Sequence, residues 1–181
     1  PRKRHDPLTV APFFQPSSIA VIGASRSPGK GGNIILRNLL KAGFKGAIYP
    51  INPSVKEILG LPAFARVSDV PTPVDTAMIV IPKSAVPDAL EDCASKGVSG
   101  IILSTGGYSD MGEAGAKEQN RIIDQARKAG IRIMGPNSIG TLNPSAGMST
   151  SIVGLDPIKA GGVSIIGQSG VVFPARPKGT Q

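Results

Sequence analysis

The sequence contains no tryptophan, one cysteine and one histidine, and its aromatic content is 4%. Each shortage removes a class of function. A single Cys93 excludes an internal disulfide framework and any multi-cysteine zinc site. The lone histidine, His5, precedes the first apolar segment and reads as a terminal surface residue. With so few rings, binding of nucleic acid on a row of stacking platforms is not expected. No apolar run approaches membrane-spanning length, and Pro1–Asp6 is not followed by the apolar segment of a secretory signal. The expectation is a cytoplasmic protein with no metal and no membrane partner.

What is present is enough for a folded core. The 181 residues are 40% hydrophobic and 18% charged, room for one ordinary domain and the start of a second. Gly 23 and Pro 17 are high for this length and follow no collagen period, which points to many tight turns between elements. The net charge of +8 invites a nucleic-acid reading, so the placement of the charges matters. Five of the 20 basic residues are Arg2, Lys3, Arg4, Arg176 and Lys178; the 15 that remain face 12 acidic ones, a balance of only +3. The ends therefore read as solvated tails rather than a recognition surface.

Apolar runs alternate with helical periodicity along the chain. Ser18–Gly23 has the length and bounds of a buried parallel strand, followed by a Gly/Ser/Pro loop. Ile34, Ile35, Leu39 and Leu40 then recur at helical spacing up to Gly43. Residues 47–53 form a second strand and 76–81 a third, halted by Pro82. A helix from Ala85 to Ala94, a strand over 98–103, a helix over 113–129 ended by Gly130, and a strand over 131–134 complete the series. Such alternation specifies an α/β fold: a doubly wound parallel sheet, Rossmann-like, with right-handed crossovers. Residues 15–145 are assigned to this domain and 1–14 to a flexible basic N-terminus. From 146 to 181 a linker leads into the truncated start of a second α/β domain, because Gly161–Gly170 repeats the strand-then-glycine pattern of Ile19–Gly32. Pro174 and Pro177 stand where the following helix would be expected.

Ligands of doubly wound sheets bind outside the carboxyl ends of the strands, where the strand order reverses. The loops in question are Gly23–Gly32, Tyr49–Lys56, Ile81–Ser84, Ser104–Tyr108 and Gly135–Gly140. The first follows a strand and opens a helix, the position at which N–H groups and the helix dipole receive phosphate. It matches neither standard template. A Walker A loop fails on spacing and on Gly31 after Lys30, and G-x-G-x-x-G fails at Ser25 and Pro28. No acid ends the second strand to hold a ribose, so a nicotinamide cofactor is disfavoured. Ser25, Ser27, Arg26 and Lys30 still suit a phosphate-bearing nucleotide with a different handle, although a glycine loop can also serve only as a turn.

Several short stretches in fixed order carry a resemblance. Ile19–Ser25, Tyr49–Pro53, Gly60–Pro62, Val80–Pro82, Ser104–Tyr108, Gly135–Gly140 and Gly167–Gly170 together resemble the coenzyme A-binding domain of NDP-forming acyl-CoA synthetases. That family includes the ADP-forming acetate:CoA ligases and is related to the α subunit of succinyl-CoA synthetase. The resemblance implies that Gly23, Ala24, Ser25, Arg26 and Ser27 lie along the phosphates of CoA. Asn52 and Pro53, with Lys56 a little further on than the cation of succinyl-CoA synthetase, match the stretch near the adenosine 3′-phosphate. Ile81 and Pro82 would wall the adenine or pantetheine, Ser104, Thr105 and Gly106 would approach the pantetheine, and Asn137 would sit near the thiol. Ser138 stands where the family often has cysteine, which removes thiol chemistry there. The family passes phosphate through a histidine in the next domain, and His5 is not that residue.

The remaining charged and reactive residues have plainer readings. Asp75, Asp88, Glu91 and Asp92 are expected as surface charge, Asp110 and Glu113 as caps of the following helix, and Cys93 as core. Tyr108 either touches ligand or covers the sheet edge. Two functions stay open: the CoA-binding part of an acid–CoA ligase, with an ATP-grasp domain or subunit as partner and no turnover from this chain alone, or a stand-alone or regulatory CoA-binding module such as those fused to acetyltransferases.

Overall fold

The computed structural model describes residues 9–168; the expectations for the basic N-terminal residues and His5, and for Gly170 and the prolines after it, lie outside them. The chain begins with α1 (Ala11–Phe14), β1 (Ser18–Ile22), α2 (Gly31–Ala42) and β2 (Ala47–Ile51), then a hairpin of β3 (Glu57–Ile58) and β4 (Leu61–Pro62). It continues through β5 (Thr76–Ile79), α3 (Val86–Lys96), β6 (Gly100–Leu103), α4 (Glu113–Lys128) and β7 (Arg132–Met134) to a second hairpin, β8 (Leu142–Asn143) and β9 (Met148–Ser149).

The main sheet has the order β2-β1-β5-β6-β7 and is parallel throughout, as the alternating pattern predicts. Its register aligns the exits of four strands: Ile22 pairs with Ile51 on one side and Ile79 on the other, and Ile79 pairs with Leu103. The loops that follow therefore open on one edge. After β1 the chain turns to β2, then crosses back to β5, so the strand order reverses between β1 and β5.

Alternation of side chains divides the core into two layers. Ala20, Ile22, Ala77, Ile79, Ile101 and Leu103 face α3 and α4, where they meet Val86, Leu90, Cys93, Ile122 and Ala126. Ile19, Val21, Met78 and Ile102 face the other way onto Phe13 of α1, Ile35, Leu36 and Leu39 of α2, and Met148 of β9. The glycine stops work as expected: Gly43 and Gly97 take left-handed conformations after α2 and α3 and return their N–H groups to the last-turn carbonyls.

Three expectations change. Residues 11–14, placed with the flexible terminus, form α1; Phe13 is buried and the carbonyl of Pro12 accepts the Thr76 hydroxyl at 2.5 Å. Asp92 is buried rather than superficial, because its carboxylate accepts the N–H of Val67 at 2.7 Å and tethers the 65–70 connection to α3. Asp75 likewise accepts the N–H of Ser17 at 2.8 Å, steering the chain into β1. Residues 161–168 form no strand and have no neighbouring strand among the described residues; Val163 and Ile166 are 84% and 99% exposed. An apolar run becomes a strand only where another takes up its backbone groups.

Asp92→Ala leaves the buried Val67 N–H without an acceptor, and a loss of about 1–3 kcal/mol is expected in urea unfolding. Burial first, and the Asp92 carboxylate second, push the Cys93 thiol up to about 12. The native chain should resist thiol reagents at pH 8 and react once unfolded. Because the unfolded thiol ionises near 9.0 and the folded one near 12, the contribution of this group to stability is complete below 9.0 and is lost as pH rises through that window.

Candidate functional site

The loop after β1 is pinched at its root by contacts that only glycine permits. Gly23 has φ +92°, and a Cβ there would stand 2.4 Å from the Val80 carbonyl oxygen. A Cβ on Gly32 would stand 2.0 Å from the Gly23 oxygen. The exits of β1 and β5 and the first turn of α2 thus meet backbone to backbone at the reversal of strand order.

Two amide side chains then orient the loop. Asn33, buried in the first turn of α2, donates from Nδ2 to the Ser25 carbonyl at 2.8 Å, while its Oδ1 accepts the Arg37 guanidinium at 2.8 Å. Asn52, just past β2, donates to the Ala24 carbonyl at 2.7 Å and accepts the Ser54 N–H at 2.8 Å. In a trans peptide the N–H points opposite to the C=O, so fixing these two carbonyls aims the N–H groups of Ser25 and Arg26 away from the amides. No side chain caps α2 at Lys30, and the first two N–H groups of the helix, on Gly31 and Gly32, have no intrahelical acceptor.

Charge agrees with that geometry. None of the five loops contains Asp or Glu, while Arg26, Lys30 and Lys56 are exposed on the first two. A rim of N–H groups, hydroxyls and cations without an acid suits an anionic ligand of the phosphate type. The Ser25 Oγ accepts the Ser27 N–H at 3.1 Å, and its own proton is left for a ligand.

The other half of the edge is built by contacts between successive loops. The Ile81 side chain abuts Gly23, and the Ile81 carbonyl accepts the Thr105 hydroxyl at 2.7 Å. Asn137, with φ +57°, donates its backbone N–H to the Thr105 carbonyl at 3.1 Å and lays its side chain against Gly106. The structure thereby joins Gly23, Ala24 and Asn52 on one side with Ile81, Thr105, Gly106 and Asn137 on the other. Pro53 and Pro82 are exposed beside it, and Lys56 projects from the entry to the β3–β4 hairpin. Tyr108, expected at the ligand or the sheet edge, is buried in the α3–α4 layer. A separate concavity lined by Gln15, Ser17, Phe44, Gly46 and Gly147 lies at the entry ends of the strands.

Asn33, Gly32 and Lys83 take part in building this edge and were not singled out from the sequence. For Asn33 a signal existed, since it and Asn38 are polar residues on the inward side of α2 among Ile35, Leu36 and Leu39. For Lys83 none did, because its partners, Gly107 and Glu118, are distant in the chain.

A parallel sheet of this order, with a glycine-pinched loop at its reversal and acid-free loops along the exit edge, defines a nucleotide-binding domain of the doubly wound class. The family model described as CoA binding domain matches residues 17–144, and the chain belongs to that family. It is 44% identical over 159 residues to the ADP-forming acetate–CoA ligase II of Archaeoglobus fulgidus, covering 88% of this chain and 24% of the relative. It is 39% identical over 160 residues to the α subunit of ADP-forming acetate–CoA ligase II of Pyrococcus furiosus, covering 88% and 34%. Among solved structures, a protein of Pyrococcus horikoshii superposes with TM-score 0.85 at 39% identity, covering 91% of this chain and 37% of that one. An acetyl-coenzyme A synthetase of Ca. Korarchaeum cryptofilum, solved with phosphate and ADP, superposes with TM-score 0.77 at 40% identity, covering 80% and 31%. The chain is thus a CoA-binding domain related to the ADP-forming acyl-CoA ligases, and it spans only 24% and 22% of the first two curated relatives.

Gly32→Ala sets a methyl against the Gly23 carbonyl and forces the loop root apart; a loss of about 1–3 kcal/mol is expected in denaturant unfolding, with weaker ligand binding at the same edge.

Proposed function

We propose that this chain is the CoA-binding part of an ADP-forming acyl-CoA ligase, an enzyme that joins an acid to CoA with conversion of ATP to ADP and phosphate. The observation that carries the reading is the set of five exit loops free of Asp and Glu, pinched by glycine at the β1–β5 reversal. CoA fits the donor set there: three phosphate groups call for N–H groups and cations, and an uncharged arm with two amides calls for hydroxyls and open backbone.

In this reading Gly23, Ala24, Ser25, Arg26 and Ser27 receive the diphosphate, and the turned-out N–H groups of Ser25 and Arg26 supply donors that need no reorganisation. Lys56, beside Asn52 and Pro53, faces the 3′-phosphate. Ile81 and Pro82 wall the adenine or pantetheine, Ser104, Thr105 and Gly106 line the arm, and Asn137 stands near its end. Thr105 and Asn52 act by position, because the Thr105 hydroxyl proton and the Asn52 amide are already bonded to backbone carbonyls. When bound, CoA supplies the thiol that takes the acyl group. These loops hold no histidine, so the residue that carries phosphate is assigned to a further domain or subunit, together with the ATP-grasp unit. The run at residues 161–168 is assigned to the first strand of that next α/β unit, and the setting to the cytoplasm. Among the described residues no helix is long and apolar enough to cross a membrane, and no three His, Cys, Asp or Glu side chains are grouped to hold a metal.

Titration calorimetry of the full chain tests the assignment. CoA should bind more tightly than NAD or ATP, and Ser25→Glu, which sets a negative charge against the diphosphate, should weaken CoA by about 2 kcal/mol. Equal affinity for CoA and NAD, or an indifferent Ser25→Glu, would refute it.

A further inference from the structure

Past Ser104 the loop after β6 leaves the sheet ladder, whose last bond is from the Ser104 N–H to the Ile79 carbonyl at 2.9 Å. From there it is tethered to the neighbouring loop by side chains. One tether is the Thr105 hydroxyl on Ile81. The other is Lys83, whose ammonium donates to the Gly107 carbonyl at 2.9 Å and meets the Glu118 carboxylate of α4 at 2.5 Å. The same ammonium stands 5.7 Å from the centre of the Tyr108 ring, on the next residue of the loop. Tyr108 is fully buried, so the ring is a fixed platform, and Gly107 has φ +85°, where a Cβ would stand 3.9 Å from the lysine stem. On the opposite side Gly106 is backed by Asn137.

We propose that Lys83 is a positioning residue for the pantetheine arm: it holds the Gly106–Gly107 turn at the geometry that receives the arm, with Glu118 fixing the direction of the ammonium. The inference rests on the CoA reading above. The ion pair alone is not the reason, since Lys83 and Glu118 side chains are 39% and 50% exposed and such pairs contribute little to stability. What distinguishes Lys83 is that its bond ends on a backbone carbonyl in the loop that lacks a ladder. The loss should therefore fall on one half of the ligand and spare the other.

Calorimetry of the full chain with CoA and with adenosine 3′-phosphate 5′-diphosphate, the fragment that lacks pantetheine, separates these halves. Lys83→Met should weaken CoA about tenfold and leave the fragment within about twofold. Lys83→Arg, which keeps a donor for Gly107 and a charge for Glu118, should recover most of the CoA affinity, and Glu118→Gln should give a smaller loss in the same sense. Equal weakening of both ligands by Lys83→Met, or unchanged CoA affinity in the folded variant, would overturn the inference while leaving wild-type CoA binding intact. Failure of the folded wild type to bind CoA would overturn the underlying reading, and this inference with it.

Discussion

Three backbones meet at the reversal of strand order, and the exit edge depends on that meeting. Gly23 lies against the Val80 carbonyl and Gly32 against Gly23, at separations no side chain could occupy. The contact brings the start of α2 close enough for its unbonded N–H groups to serve the same loop that the end of β1 begins. It also explains why neither standard glycine template fits. The glycines needed are those at the root of the loop, and Ala24–Lys30 between them are free to carry hydroxyls and cations.

Polar side chains divide into two kinds along this edge. Asn33, Asn52 and Thr105 are bonded to backbone carbonyls and set the shape of the loops. Ser25, Arg26, Lys30 and Lys56 remain turned toward solvent or half-exposed. The first kind makes the second useful, because a donor already held in place loses little freedom when a ligand arrives. The absence of carboxylates from all five loops has the same sense, since an acid there would repel the phosphates that the proposed reading brings to the N–H groups.

Much of this was legible in the residues. Short apolar runs marked the five parallel strands, four of them ending at Gly or Pro, and the central ones show no polar alternation because they are buried on both faces. Gly43, Gly97 and Gly130 marked the ends of the helices. The loops of the candidate site were chosen by the rule that ligands sit at strand exits, and the motif order led to the CoA-binding family. What stayed hidden depends on contacts across the chain. Asp92 looked like one more helix acid until the fold brought Val67 against it, and Lys83 had no local sign of its bond to Gly107. The short α1 was masked by its neighbourhood of basic residues, although Phe13 supplies a buried ring to the α2 layer. At residues 161–168 a strand-like pattern met no strand to pair with among the described residues.

The central claim is that the glycine-pinched edge receives CoA lengthwise, diphosphate at the first loop and thiol arm toward Gly106 and Asn137. A crystal structure of the full chain grown with CoA tests it most directly. The account predicts diphosphate density within hydrogen-bond reach of the Ser25 and Arg26 N–H groups, with the pantetheine running past Ile81 toward Asn137. Density for CoA at the strand entries, beside Ser17 and Phe44, or a diphosphate bound away from the β1–β5 reversal, would contradict it.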